Sequence, residues 1–341
     1  MKPVFMRYTK NDIINFIVLL VLGFLVIPNV IKSDYWYTSI LIPWLCLTIA
    51  ALGQNIVMGY TGQLSLGAAG FMCAGAYACY NMMLRIQDMP FLGALVLSGL
   101  IAAGLGIIFG LPSLRIRGIY LMVATLASQF FIVWVIDKFG WFKNYDVSGS
   151  TTFQKIDING VPFHSGYMMY LLVAIIVVIT ILAINMARGS TGRNWMAVRD
   201  MDIAAESMGV SLLKTKLQAF AINAFLCGIA GALYTYTYLK TVEPFAAFNI
   251  SLSFKIMFMA IIGGLGTISG AFIGAAFILL FPVVLNAIGN NLFHGMIDAT
   301  IISSIEQIVF GGLIITLMIF EPLGFAKLWE TLKQKVTRTK S

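Results

Sequence analysis

Ten runs of apolar residues, most of them about as long as a bilayer crossing, divide this chain, and few folds accommodate so many. They cover residues 13–31, 38–58, 64–84, 91–111, 118–137, 167–187, 216–239, 251–263, 271–288 and 303–320. Apolar types fill 60% of the 341 positions and charged types only 11%, against roughly 25% charged in a soluble domain. A hydrocarbon core about 30 Å thick takes about 20 apolar residues per helix. The apolar content therefore suffices for about ten crossings. A soluble globular domain, a disordered chain and a disulfide-stapled secreted domain are excluded. The expected fold is all-α, a polytopic membrane protein with about ten transmembrane helices in one domain over residues 1–341.

Charge placement tests that count, because cytoplasmic loops of membrane proteins collect Lys and Arg. With the first residues inside, the inner segments hold 15 of the 22 basic residues. They include Lys2, Arg7 and Lys10, Arg115 and Arg117, Arg188, Arg193, Arg199, Lys214 and Lys216, and five more in the tail. Both termini are thus expected in the cytoplasm, with residues 137–166 an outer loop, 187–215 an inner loop and 321–341 a cytoplasmic tail. The basic tail suits the anionic lipid surface. The net charge of +8 is absorbed by this asymmetry, and nucleic acid is not an expected partner. Lys2, Arg7 and Lys10 ahead of the first run imitate a signal peptide, but no small-residue cleavage site follows. The first run is expected to remain as a span.

No catalytic constellation is visible, so the chain is not expected to be an enzyme. Cys46, Cys73, Cys79 and Cys227 all lie in apolar runs, where packing explains them. The two histidines, His164 and His294, are far apart and lack partners with metal-ligand spacing. The absence of G-x-x-x-x-G-K-[ST] means that any nucleotide must be held elsewhere. Polar side chains inside the runs are few: Gln54, Asn55, Asn81, Gln129, Gln218, Asn223 and Asn286. Each is expected to bond between helices more often than to touch a solute. Lys255 lies near enough to a run's end to snorkel. Full charges are nearly absent from span centres, which argues against an ion-coupled carrier. A carrier or channel acting alone and a membrane-embedded enzyme remain the competing classes.

Two glycine-rich interruptions carry more information. Residues 59–70 read GYTGQLSLGAAG, and residues 263–270 read GGLGTISG. Backbone released by a helix break in lipid must be satisfied by protein or by a wet cavity. Paired breaks in two halves of a chain mark transport pathways, whereas glycines alone also serve close helix packing. Both readings stay open for Gly62, Gln63, Ser65, Gly67, Gly263, Gly264, Gly266 and Thr267. The inner loop is the other informative stretch. Asp202 is placed to cap a short helix that Gly209 ends, with Ile203, Ala204 and Met208 as a small apolar face. Such a helix suits docking to a soluble partner or lying on lipid.

Five motifs, in order along residues 48–324, resemble the LivM-type permease subunit of ABC importers for branched-chain amino acids. They are GQLSLG at 62–67, LRIRGIY at 114–120 with ATL at 124–126, AVRD at 197–200 with Ala204, Ala205 and Gly209, GIAGALY at 228–234, and GGLGT at 263–267. The resemblance implies a single permease domain in the bacterial inner membrane, paired with a LivH-like permease. It also implies two cytoplasmic ATPases, which hold the ATP and Mg while this chain binds no cofactor, and a periplasmic solute-binding protein. The inner loop then corresponds to a coupling helix, with Arg199, Asp200, Asp202, Ala204, Ala205, Glu206 and Gly209 facing the ATPase. The chain departs from the family at Ala68, where His is common, at Gln129, where an acidic residue is common, and at Ser148, Gly149 and Ser150, where Thr-Gly-Gly is frequent. The implied solute is a branched-chain or related amino acid, with an aromatic or other carboxylate, urea or an amide as the alternatives.

Overall fold

The computed structural model describes residues 36–113, 119–146, 149–153, 157–158, 161–162, 165–293, 308 and 311–312. The first apolar run, all of the last but residues 308 and 311–312, the tail, Arg115 and Arg117, Ser148 and both histidines lie outside the described residues. Within them the chain is mostly helical. The principal helices are α1 (Tyr37–Tyr60), α2 (Ala68–Arg85), α3 (Phe91–Ser113), α4 (Ile119–Lys138), α5 (Ser165–Arg188), α8 (Leu212–Tyr234), α10 (Ile250–Gly263) and α11 (Ile268–Phe293). Short helices α6 (Ser190–Asp200), α7 (Asp202–Ser207) and α9 (Pro244–Ala247) lie between them. Among the described residues, six helical segments are long and apolar enough to cross a membrane: Tyr37–Tyr60, Phe91–Pro112, Tyr120–Lys138, Met168–Arg188, Leu212–Leu239 and Pro244–Gly263.

Eight of the apolar runs thus become helices, with one instructive displacement. The third run begins at Leu64, yet α2 starts only at Ala68, and residues 62–67 have no regular secondary structure. The chain also departs from an all-helical fold at the other end of the bundle. There β1 (Thr151–Thr152) pairs antiparallel with β4 (Thr241–Val242), and β2 (Asp157–Ile158) pairs with β3 (Val161–Pro162). Extended backbone leaving a helix satisfies its N–H and C=O groups this way, and the β1–β4 pair ties the loop after α4 to the end of α8.

Helix α8 is the hub and packs on α3, α2 and α1, while α1 also packs on α10 and α11. Small residues make those approaches possible. A Cβ at Gly75 would enter the backbone of Gly228, one at Gly231 would enter that of Met72, and Gly228 faces Ala102 and the backbone of Gly99. In hydrocarbon, helices gain little from burying apolar surface against one another, so such backbone contact supplies the packing. Helices α3 and α4 turn a different face outward, with Leu100, Ile108, Val123, Phe130 and Phe131 about half exposed. These surfaces suit hydrocarbon or another helix.

Buried hydroxyls keep the helices intact. Thr48, Thr180, Thr235 and Thr237 each donate to a carbonyl one turn back at 2.6–3.0 Å. Helix α1 begins and ends in π-helical turns, Tyr37–Leu41 and Ile56–Tyr60, and Thr61 Oγ1 donates to the Val57 carbonyl at 2.6 Å across the second. Gly75→Ala is expected to destabilise the protein by about 1–3 kcal/mol through overpacking. Gly104→Ala, which has nothing within 4 Å of the new methyl, is expected to be neutral or to gain the roughly 0.5–1 kcal/mol preference of Ala over Gly in a helix. Thermal unfolding of both variants in detergent checks the pair.

Candidate functional site

The two glycine-rich breaks, two hundred residues apart in sequence, lie against each other at one end of the bundle. Asn55, buried in the last α-helical turn of α1, joins them. Its Nδ2 donates to the Thr267 carbonyl at 2.6 Å, and its Oδ1 accepts from the Gly266 amide at 2.7 Å. The side-chain amide therefore replaces a strand or helix partner for backbone that the break leaves without one. Gly59 sits in the same contact, where a Cβ would strike the Gly266 backbone and the Asn55 side chain. The second break closes on itself: Thr267 Oγ1 donates to the Gly264 carbonyl at 2.8 Å, and Gly263 lies on the Gly270 backbone. Gly264 and Gly266 have φ of 117° and 77°, a region that L side chains rarely adopt.

Arg199, at the end of α6 in the inner loop, reaches into this junction. Its Nη1 donates to the Gly59 carbonyl at 2.8 Å, and its Nε donates to Asp200 at 2.9 Å. Gly62, with φ of 69°, turns the chain out of α1 directly under the arginine, where an added Cβ would lie 3.0 Å from Arg199 Cγ. An added Cβ at Gly266 would lie 3.7 Å from Arg199 Nη1. One guanidinium thus sits over both breaks.

Beyond Gly62 the non-helical segment is held by side chains of three helices. Gln54 Nε2 of α1 donates to the Ser65 carbonyl at 2.6 Å. The Leu66 amide donates to Thr125 Oγ1 of α4 at 2.9 Å, and the Ala69 amide donates to Ser253 Oγ of α10 at 2.9 Å. Ser253 in turn donates to Gln129 Oε1 at 2.6 Å. These polar groups are buried. They surround the start of α2, whose first amides lack helical partners, and of their side-chain atoms Gln54 Oε1 is left buried without a hydrogen bond. Beside them lies a small apolar cluster of Met58, Leu66 and Met257, with Met122, Leu126, Phe254, Phe258 and Ile261 packed on it.

A cavity of about 710 Å³ opens next to the junction, lined by Thr61, Gly62, Gln63 and Leu64 on one side and by residues 198–204 on the other. It brings Gly62 and Gln63 together with Arg199, Asp200, Asp202 and Ala204. The Gln63 side-chain amide is buried there with neither atom hydrogen-bonded. Ser65 and Gly67 belong to the buried segment above, and Gly263, Gly264, Gly266 and Thr267 to the junction. Glu206 and Gly209 are exposed at the surface.

The inner loop is arranged differently from the sequence expectation in one respect. Met201 is extended and occupies the N-cap position of α7, so Asp202 is the first helical residue, and its carboxylate accepts from the Ile203 amide at 2.9 Å. Ala205 is 1% exposed and is turned inward rather than to the surface. A short helix anchored by one small residue must turn it inward. The side chains left outward are Met201, Ile203 and Met208, each more than 70% exposed. Gly209 ends the helix as expected, with φ of 86° and its amide on the Glu206 carbonyl at 2.9 Å.

The intramembrane polar side chains mostly bond to distant segments of the chain, and more of those partners are non-helical backbone than another helix. Asn81 joins Gln54, Asn55 and Gln129 in this, donating to the Phe142 carbonyl at 2.9 Å. Gln218 is exposed, and Asn223 accepts from Cys227 within α8. Sequence reasoning singled out Asn55 and Gln129 as polar side chains, met Thr125 only within a family motif and passed over Ser253, since such hydroxyls carry no signal distinguishable from ordinary helix back-bonding.

The family model for the permease component of the branched-chain amino acid transport system matches residues 37–318. The chain belongs to this family. Among relatives, the high-affinity branched-chain amino acid transport system permease protein LivM of Salmonella typhimurium is 28% identical over 304 residues, covering 81% of this chain and 66% of the relative. A probable branched-chain amino acid transport permease protein LivH of Methanocaldococcus jannaschii is 26% identical over 75% of this chain and 84% of its own. The autoinducer 2 import system permease protein LsrC of an Enterobacter strain is 25% identical, covering 70% and 68%. The chain spans 66% of the length of the LivM relatives from Salmonella and Escherichia coli. No solved structure matches it. Membership places it among transport-system permease components, in keeping with the apolar helices long enough to cross a membrane.

Asn55→Ala in this permease leaves the Gly266 amide and the Thr267 carbonyl without their partner. Unsatisfied buried groups cost about 1–3 kcal/mol, so a lowered unfolding temperature is expected. Asn55→Asp, which keeps the acceptor for Gly266 but sets a second acceptor oxygen against the Thr267 carbonyl and buries a charge, should be destabilised at neutral pH at least as much as Asn55→Ala. Thermal unfolding of the two side by side checks the assignment.

Proposed function

We propose that this permease is the LivM-type half of an ATP-driven importer for branched-chain or related amino acids, and that it forms the translocation path with a LivH-like partner. Two cytoplasmic ATPases carrying ATP and Mg, and a periplasmic solute-binding protein, complete the machine on this reading. The chain crosses the inner membrane about ten times with both ends in the cytoplasm, as the distribution of basic residues implies. The Arg199 end is then cytoplasmic, and the Arg85 end is periplasmic.

The observation that carries the proposal is the bond from Arg199 to Gly59. It connects the loop that a soluble partner would grip to the two breaks that a solute would have to pass. Met201, Ile203 and Met208 supply an exposed apolar footprint for the ATPase, and Arg199 transmits its displacement to residues 59–67 and 263–270. The buried cluster of Ser65, Thr125, Gln129 and Ser253, together with the outer aromatic cluster, closes the route in the conformation described. That second cluster joins Tyr77, Tyr80, Phe153, Tyr236 and Phe91 at centroid distances of 5.1–6.5 Å. A different small polar solute is the second reading, favoured by the neutral character of the Thr125–Gln129–Ser253 cluster.

Docking and transmission separate by mutation. Ile203→Asp is expected to lose ATPase co-purification and uptake together. Arg199→Ala should keep the ATPase bound and still lose about tenfold or more of uptake, the equivalent of one charged hydrogen bond. Normal uptake by Arg199→Ala would remove the transmission role. Cysteine at Ser65, in a background without the native cysteines, should resist an aqueous thiol reagent at rest and react during ATP turnover, and protection in every nucleotide state would leave this segment a packing element only.

A further inference from the structure

A second cavity, on the far side of α2 from the junction, has the build of a lipid site. It has a volume of about 400 Å³ and lies between α2, α3 and α4. Its walls come from Ala74, Ala78, Ile101, Leu105, Phe131 and Val135, with almost no polar surface. Ile101 and Phe131 are 44% and 52% exposed, so the cavity is a groove in the bundle's outer face. A polar solute moving to the cytoplasm has nothing to bind there.

The dimensions and the one charge point to an occupant. Along α2 the groove runs from Ala74 to Arg85, eleven residues or about 16 Å at 1.5 Å per residue. That is about half of a hydrocarbon core roughly 30 Å thick, the depth of one leaflet. Arg85 and Trp141 form its mouth. The guanidinium carbon lies 4.0 Å from the Trp141 ring centroid, Nε donates to Asn81 Oδ1 at 3.0 Å, and Nη2 donates to the Trp141 carbonyl at 2.8 Å. Asn81 is itself fixed to the Phe142 carbonyl. The arginine is therefore held in place at the rim, exposed, and among the described residues no carboxylate pairs with it, whereas Lys143 nearby is matched by Asp137 at 2.9 Å. A tryptophan beside a cation at the end of an apolar groove is the arrangement found at membrane interfaces.

We propose that this groove binds one acyl chain of an anionic phospholipid from the leaflet on the Arg85 side, with the phosphodiester on Arg85. The site is separate from the translocation route and stands whatever the transported solute. The lipid fills the seam where α3 and α4 would otherwise leave α2 open to the bilayer, so it acts as a structural ligand.

Native mass spectrometry of the full-length protein with its co-purified subunits tests this, using phosphatidylglycerol and phosphatidylcholine as probes. The wild type should retain phosphatidylglycerol in preference to phosphatidylcholine. Arg85→Gln should reduce that preference about fivefold, the weight of one basic residue at an anionic surface. Ala78→Phe, which fills the groove, should remove the bound lipid of either kind. Equal retention of both lipids by the wild type overturns the proposal without reference to any variant. So does a photo-crosslinker at Ile101 that captures the second permease in place of lipid.

Discussion

A backbone group released from a helix inside a bilayer has no water to turn to, and the architecture of this permease follows from that fact. The chain leaves α1 at Gly62 and regains a helix only at Ala68, which frees several amides and carbonyls at membrane depth. The protein answers with side chains drawn from three helices: Gln54 from α1, Thr125 from α4 and Ser253 from α10. The second break is answered by Asn55 in the same way. The order of helices around α2 is therefore dictated by which of them can lend a polar group to the gap. Glycine contacts between α2 and α8 then fix how closely those helices approach.

The two ends of the bundle are closed by different physics. At the Arg85 end, aromatic rings and a two-residue strand pair make a dry, sterically filled seal, with the Phe153 amide on the Lys240 carbonyl at 2.7 Å. At the Arg199 end, a few short hydrogen bonds hold two glycine turns together across an open cavity. Aromatic packing resists small displacements everywhere at once. A hydrogen-bonded junction instead holds until a bond breaks, and it can then re-form with a neighbouring partner.

Much of this was legible in the sequence, and the physical reason is period and composition. Apolar runs located the helices from Tyr37 to Phe293 because lipid tolerates little else. The glycine clusters announced the breaks because few other residues adopt the φ of Gly62, Gly264 and Gly266. What stayed hidden depends on partners far away in the chain. Nothing near Asn55 reveals that its amide matches Gly266 and Thr267, and nothing near Arg199 reveals that it reaches Gly59. Ala205 was hidden for another reason. A motif placed it in the inner loop, but motif position carries no information about which face of a two-turn helix turns inward. The strand pair β1–β4 was invisible because two residues show no alternation.

On the proposed reading, the location of the weak link matters more than its strength. Arg199 holds the Gly59 carbonyl at the turn where α1 has already loosened into a π-helical step, a form that recurs where helices must adjust. Its second contact, to Asp200, lies on the exposed side, where a partner's charge would compete for it. Beneath the junction the side chains are Met58, Met122, Met257, Phe254 and Phe258. Unbranched, polarisable methionines repack at little cost, so this apolar cluster can change shape while the buried hydroxyl and amide bonds above it keep the helices in register. A rigid upper scaffold, a deformable layer and a single arginine linking that layer to the surface loop together make a joint that moves in one place. Substituting Lys for Arg199 would keep the charge but lose the fork that lets one side chain bond Gly59 and Asp200 at once. The joint needs the geometry of the guanidinium as well as its charge.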